Sequence, residues 1–325
     1  MVTYPKELWL DKPYYSLHAY CKHTFHERCY KIALDGGFSC PNRDGKIGYG
    51  GCIFCSEQGS GDFSTSLDFT SSITLQITHS IQATKLKKKA TKFIAYFQAY
   101  TSTYGSIQKL RTLYETALSQ DEIIGISIAT RPDCLADDVI DLLSSLQVSF
   151  PNKFIWVELG LQTIHEDTAK YIRRGYPLST FEEAMKKLDA ISIPVIVHVI
   201  LGLPGETTSM ILETITYLNQ FHVFGVKYQL LHILKGTDLA KDYEQGLFEA
   251  LTMDAYISLL ALCITHTNPQ TIIHRVTGDG PKDLLIAPLF SSNKIHVLNE
   301  LHRYLKLHDM YQGRDLHDTR QTNLI

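Results

Sequence analysis

From residue 31 onward, short apolar runs alternate with longer helix-like stretches at intervals of roughly 30 residues, the rhythm of βα repetition. Strands are expected at 31–38, 92–100, 123–130, 154–161, 194–201, 226–233 and 272–276. Helices are expected between them at 71–89, 106–118, 135–146, 180–189 and 206–220, with more after residue 250. No Pro/Gly/Ser-rich linker separates these units, so one barrel-like domain is expected rather than two independent ones. The fold class is α/β, a partial (β/α)6-type TIM-like barrel with terminal extensions. Residues 1–30 form the N-terminal extension, 31–245 the core barrel and 246–325 a C-terminal extension packed on it.

Composition permits such a core. With 325 residues, 44% of them hydrophobic and 20% charged, the chain is neither disordered nor a disulfide-stapled mini-protein. A formal charge of −3 argues against a polybasic nucleic-acid binder that works through bulk charge. The longest strongly apolar stretch, 193–203, is about half of the ~20 residues a membrane span needs. The first 17 residues lack the apolar region of a secretory signal, so the expected location is the cytoplasm.

Strand side chains alternate between two faces, and the polar interruptions sort by parity. Gln98 and Tyr100 share a face, as do Ser127 and Arg131, and Glu158 and Gln162; His198, Gln229 and Arg275 interrupt the later strands. Taken singly, each reads as a satisfied core polar group or a strand-end residue. Together they recur toward the C-terminal ends of the strands, where βα barrels place their ligand sites.

The loop after the first strand carries the strongest chemical signal. It reads Gly36-Gly37-Phe38-Ser39-Cys40-Pro41-Asn42-Arg43-Asp44-Gly45, then Gly50-Gly51-Cys52-Ile53-Phe54-Cys55, a C-x11-C-x2-C spacing. Glycine-rich turns let a loop wrap several thiolates around a compact inorganic centre. Structural zinc prefers four protein ligands, commonly as two close pairs. Three thiolates suit a [4Fe–4S] cluster that keeps one iron open to an exogenous ligand. A zinc-stabilised nucleic-acid-binding or scaffold protein is the alternative on the same cysteines. A second set, His18, Cys21, His23, His26 and Cys29, also has spacings compatible with a metal, but a basic and aromatic arm facing substrate is the preferred reading. Cys134 and Cys263 read as inert buried thiols.

On these residues the sequence resembles the radical SAM (S-adenosylmethionine) superfamily, in the branch related to the Elongator catalytic subunit and closest to the YhcC/YtqA (MnmL-type) family. The resemblance is carried by 31–35 leading into the cysteine loop, and by Phe97-Gln98-Ala99-Tyr100-Thr101, Thr130-Arg131-Pro132-Asp133, Glu158-Leu159-Gly160-Leu161-Gln162, Arg173-Arg174-Gly175-Tyr176, Gly202-Leu203-Pro204-Gly205-Glu206 and Arg275-Val276-Thr277-Gly278-Asp279. It spans about residues 14 to 300.

The resemblance implies that Cys40, Cys52 and Cys55 hold a [4Fe–4S] cluster whose fourth iron chelates SAM, and that one electron cleaves SAM to methionine and a 5′-deoxyadenosyl radical. It further implies SAM contacts from Phe54 at the adenine, from Gln98 and Tyr100 near the methionine amino group, and from Thr130, Arg131 and Glu158. Arg174 matches the position of a SAM-carboxylate arginine, with Arg173 its near alternative. Gln162 and His198 match positions that bind the ribose hydroxyls. Flavodoxin or ferredoxin is the implied kind of electron donor.

The substrate implied by one branch is the C5 side chain of the tRNA wobble uridine, converted from carboxymethylaminomethyl-uridine to aminomethyl-uridine. The basic run Lys85, Lys87, Lys88, Lys89 and Lys92 and the mixture of Lys22, Arg28, Tyr14, Tyr15 and Tyr20 are compatible with RNA, although a solvated helix face explains the lysines as well. His232, Lys235, Arg275 and Lys282, near late strand ends, are expected to face the substrate. A radical SAM enzyme acting on a small molecule or a protein is the rival enzyme reading.

Overall fold

The computed structural model describes residues 6–57, 59, 72–278 and 280–316. Seven parallel strands form one sheet in sequential order: β1 (Cys29–Leu34), β2 (Lys92–Phe97), β3 (Ile123–Thr130), β4 (Phe154–Gln162), β5 (Val195–Leu201), β6 (Val223–Leu230) and β8 (Ile272–Arg275). A short antiparallel pair, β7 (Ile233–Leu234) and β9 (Leu285–Ala287), lies beside it. This is the expected partial TIM-like barrel, with a seventh strand drawn from the region after residue 245.

Ten α-helices accompany the strands among the described residues. The α1 helix (Leu17–Phe25) precedes β1; α2 (Ile73–Lys87), α3 (Ile107–Leu118), α4 (Asp137–Ser149), α5 (Glu166–Tyr171), α6 (Leu178–Ala190) and α7 (Thr208–Leu218) fill the crossovers; α8 (Asp238–Glu244), α9 (Met253–Thr265) and α10 (Lys294–Leu307) follow. Hydroxyl and amide side chains fix many of the starts: Ser72, Ser106, Thr207, Thr237, Thr252 and Asn293 each accept a hydrogen bond from a first-turn N–H. The expected start of α2 at Ser71 lies outside the described residues.

The outer faces of the strands, such as Phe93, Ala95 and Phe97 of β2 and Val195, Val197 and Val199 of β5, pack against the helices in the main core. The inner faces stack in layers. At the N-terminal ends of the strands, Ile94, Trp156 and Ile196 form a plug with Phe154 and Phe224, closed from below by Tyr20 of α1. Above it comes a polar layer of Lys31, Tyr96, Ser127, Glu158, His198 and Lys227. Glu158 of β4 binds Lys31 of β1 and Lys227 of β6 at once, which requires a curled sheet. Nearest the C-terminal ends, Gln98, Gly160, Ile200, Gln229 and Arg275 border an open cavity.

The segment expected to face substrate, 14–30, instead closes the opposite end of the barrel. Tyr14 and Cys21 are buried, and Tyr20 packs edge-on to Trp156 and Phe224 with ring centroids 6.0 and 5.3 Å away. Aromatic rings without charge partners gain more from burial under the barrel than from exposure. Backbone pairing fixes the placement: the Ile273 N–H donates to Tyr15 O at 2.7 Å, and Gln312 accepts from the Tyr15 N–H while donating to Asn268 O and Thr271 O. Among the described residues no helix is long and apolar enough to cross a membrane.

Candidate active site

The cysteine loop leaves β1 and returns across the mouth of the barrel. Its turns close on themselves through Ile47 N–H to Pro41 O and Gly51 N–H to Asn42 O, both 2.8 Å, with Gly45, Gly50 and Gly51 at positive φ. Distant elements hold it in place: the Asn42 amide donates to Arg173 O at 2.6 Å, and the Leu239 N–H of α8 donates to Ile53 O at 2.9 Å. Arg43 stiffens the far side, its guanidinium donating to the carbonyls of Cys55, Ser56 and Glu57 over the Tyr100 ring.

Cys40, Cys52 and Cys55 all line the cavity, whose volume is about 210 Å³. Among the described residues no three or more His, Cys, Asp and Glu side chains converge as the shell of a single ion. A hydrogen bond from the Cys55 thiol, aided by Arg131, Asn42 and Arg43, lowers Cys52 to about 7 against the cost of burial. The partner thiol Cys55 is pushed up by the same hydrogen bond and by burial. A thiolate is therefore accessible at neutral pH where a metal ligand needs one. This donor set fits a three-cysteine iron–sulfur cluster, and Arg43 and Asn42 supply the surrounding hydrogen bonds.

The SAM residues implied by the sequence all border this cavity, but they differ in what they have left to offer. Phe54 and Gln98 line both this cavity and a second chamber that opens from it. Tyr100, at φ +56°, donates its hydroxyl to Glu57 O at 2.7 Å and so packs on the cysteine loop. Thr130 spends its hydroxyl on Thr103 at 2.5 Å. Gln162 holds φ +68° at the end of β4.

Two of the expected arginines already hold partners within the protein. Arg174 is 2% exposed, and its guanidinium donates to the carbonyls of Tyr176, Leu161 and Thr163 and to the Glu166 carboxylate. It stitches the turn after β4 to α5 and has no fork left for a SAM carboxylate. Arg131 makes a bidentate pair with Asp133 at 2.9 and 2.8 Å and lies 5.0 Å above the Tyr176 ring. Both side chains build the cavity wall rather than reach across it. Arg173 is exposed and paired with Asp238 at 2.7 Å.

Glu158 also has a role deeper than the one expected. Its side chain is fully buried, and its carboxylate accepts from Lys31 at 2.5 Å, Ser127 at 2.6 Å, His198 at 2.7 Å and Lys227. Burial pushes its pKa up, but Lys227, Lys31 and His198 together hold it well below the usual carboxylate range. Burial, with the Lys227 charge added, lowers His198 to about 4 despite the neighbouring carboxylate. The imidazole is therefore neutral at pH 7: Nε2–H donates to Glu158, and Nδ1 stays an acceptor. That suits a hydroxyl donor such as a ribose.

Lys31, Tyr96 and Lys227 were not singled out in the sequence. A lysine in a strand reads as a solvent-facing residue, and only closure of the barrel carries both ammonium groups to Glu158. Lys227 donates to the Tyr96 hydroxyl at 3.1 Å as well, and burial drives its pKa well below that of a free lysine. The parity of Glu158 and His198 was the available signal.

A second chamber opens from the first, sharing Phe54, Cys55, Gln98, Ile200, Gln229 and Arg275 and adding His232, Gly280 and Pro281. His232 and Arg275, expected to face substrate, both border this chamber. Lys235 and Lys282 do not border it: both are exposed where the chain flanks the β7–β9 ribbon, Lys235 with its ammonium on Asp283 O at 2.9 Å. Asp279 lies outside the described residues.

The basic run occupies the other end of the barrel, where Lys87, Lys88 and Lys89 border a surface groove with Arg28 and His18. Within the second cysteine/histidine set, the Cys21 and Cys29 thiols share a hydrogen bond while His23 and His26 are exposed. Cys263 is buried, and Cys134, half-buried, is raised to about 12 by desolvation and by Asp133.

Comparison with known proteins places this architecture. The model of the radical SAM superfamily matches residues 43–218, and that of the radical SAM C-terminal domain matches 223–307. The chain is 44% identical over 305 residues to YtqA of Bacillus subtilis, covering 94% of this chain and 93% of that protein. It is 38% identical over 290 residues to YhcC of Escherichia coli, covering 89% and 91%. Elongator complex protein 3 of Schizosaccharomyces pombe is 25% identical over 178 residues, 54% of this chain and 32% of that protein. Among solved structures, the archaeal Methanocaldococcus infernus Elp3 matches with a TM-score of 0.64 at 16% identity, over 87% of this chain and 64% of that one, which shows a shared fold. With three cysteines on the loop after β1 lining a cavity that Glu158, His198 and Arg275 also border, and with these matches, the chain belongs to the radical SAM superfamily, in its Elp3-like YtqA/YhcC family, as an enzyme whose cofactors are a [4Fe–4S] cluster and SAM.

Proposed function

We propose that this enzyme modifies the C5 side chain of the tRNA wobble uridine, converting carboxymethylaminomethyl-uridine to aminomethyl-uridine. The observation that carries the reading is the second chamber. It opens directly from the thiol loop and offers Phe54 as a ring to stack on, with Gln98, Gln229, His232 and Arg275 around it, the groups that read a splayed-out base. The likeness to Elongator complex protein 3 across the barrel supports the same choice.

When bound, the cluster and SAM supply a carbon radical that abstracts hydrogen; the protein's task is to place the reacting carbon and exclude competitors. Cys40, Cys52 and Cys55 would hold the cluster. His198 would accept a hydrogen bond from a ribose hydroxyl at Nδ1, with Gln162 beside it. Phe54 would separate adenine from substrate. We place the enzyme in the cytoplasm, where tRNA and a low-potential donor such as flavodoxin or ferredoxin are both present.

The test is nucleoside analysis of bulk tRNA from cells with and without the gene. Deletion is expected to remove aminomethyl-uridine derivatives and to accumulate the carboxymethylaminomethyl form. Unchanged wobble nucleosides would refute the assignment.

A further inference from the structure

The barrel interior carries more positive than negative charge. Among the described residues lining the two chambers, Glu158 is the single carboxylate, and it is already shared by Lys31 and Lys227. Arg275 pairs in register with Lys227 on the neighbouring strand, and it borders both chambers. Its guanidinium has no acid among the described residues; its one hydrogen bond is from Nη1 to Gln229 Oε1 at 3.2 Å.

Every other arginine bordering these chambers is committed. Arg131 is forked onto Asp133, Arg174 is held by three carbonyls and Glu166, and Arg43 grips the cysteine loop. The bond from Arg275 also fixes the Gln229 amide: with Oε1 accepting, Nε2 is left as a donor. The remaining Arg275 N–H groups and the Gln229 Nε2 are thus neighbouring donors, in a partly desolvated site where a charge-assisted, two-pronged hydrogen bond is strongest.

We propose that Arg275 and Gln229 form the anchor for a carboxylate carried by the substrate, in the chamber they line together with Phe54 and Cys55. A planar monoanion matches one guanidinium edge plus one amide. The identity of that carboxylate rests on the wobble-uridine reading: the carboxymethylaminomethyl group ends in a carboxylate, and the aminomethyl product has lost it. The anchor therefore grips the substrate and, after the C–N bond breaks, the departing two-carbon acid, while the aminomethyl-uridine it leaves behind has no carboxylate to hold it.

The test measures equilibrium binding to the reconstituted, SAM-loaded enzyme by calorimetry. The ligands are the nucleoside 5-carboxymethylaminomethyl-uridine and its uncharged carboxamide; the proteins are wild type, Arg275→Lys, Arg275→Gln and Gln229→Glu. Wild type is expected to favour the acid by about tenfold or more, the scale of one charge-assisted hydrogen bond. Arg275→Lys should keep part of that ratio, and Arg275→Gln should bring it to about one. Gln229→Glu keeps the arginine but neutralises it, and should also abolish the preference. A wild-type ratio in Arg275→Gln overturns the anchor.

If neither nucleoside binds wild type, the wobble-uridine reading fails by itself. N-acetylglycine against N-acetylglycinamide then tests the anchor: the same ratios support it, and equal binding overturns it. SAM carries a carboxylate too, so SAM and decarboxylated SAM are titrated in parallel. Arg275→Gln should leave their ratio unchanged; a loss confined to SAM would assign the guanidinium to the cofactor and overturn the proposal.

Discussion

Glu158 organises the barrel interior because one buried carboxylate satisfies two ammonium groups, a hydroxyl and an imidazole. Removing one partner from such a cluster leaves a buried charge unpaired, which costs more than the pair contributes. Its pH signature is specific. His198 titrates at about 4 in the folded protein and near 6.5 in the unfolded chain, so between those values the unfolded chain binds a proton the folded one does not. The contribution is complete above about pH 6.5 and is lost as pH falls toward 4, to a limit of about 3 kcal/mol. Urea unfolding between pH 4 and 7.5 should show stability falling with acid, and His198→Gln should reduce that slope. Some slope will remain, because burial beside Trp156 and Phe224 also lowers His274. An unchanged slope in His198→Gln would contradict this placement. The sequence exposed His198 and Glu158 through parity, a local property. It concealed Lys31 and Lys227, whose role depends on four strands curling onto one carboxylate, and it concealed the internal partners of Arg174, the carbonyls of a turn and the Glu166 carboxylate, which no side-chain pattern records.

The α1 helix shows what an element's own sequence leaves open. Its mix of Tyr20, Lys22, His23 and Phe25 suits an RNA-facing arm, yet its aromatic side closes the base of the barrel. The decisive contacts are with Trp156 and Phe224, both far along the chain. Glycine makes room there: a Cβ on Gly225 would stand 2.5 Å from the His274 ring, so β6 must be bare at the point where that ring enters. Tyr20→Ala should therefore destabilise the protein by about 2–3 kcal/mol, a large-to-small change at a partly exposed site. It should leave iron content and SAM affinity of the folded fraction intact. Chemical unfolding paired with SAM titration checks this; full stability with lost ligand binding would return α1 to the substrate side. The strands were legible because seven apolar runs with turn punctuation leave few topologies. The β7–β9 ribbon was not, and with it Lys235 and Lys282 were placed too near the site.

At the scale of the molecule, the two ends of the barrel divide the work. One end is sealed by an aromatic plug and carries the basic groove; the other holds the thiol loop above two connected chambers. The polar layer between them separates packing from chemistry. The cysteine spacing foretold the upper end because three thiols on one glycine-rich loop need no tertiary information to be recognised. The central claim is that Cys40, Cys52 and Cys55 hold a cluster that activates SAM at this mouth. The direct measurement is anaerobic reconstitution, iron and sulfide analysis, and a reductant-driven assay for 5′-deoxyadenosine, with Cys40→Ala, Cys52→Ala and Cys55→Ala alongside. Wild type should bind about four irons per chain and release 5′-deoxyadenosine, and each variant should lose both; zinc in place of iron with no SAM cleavage, or full activity in any of the three variants, would contradict it.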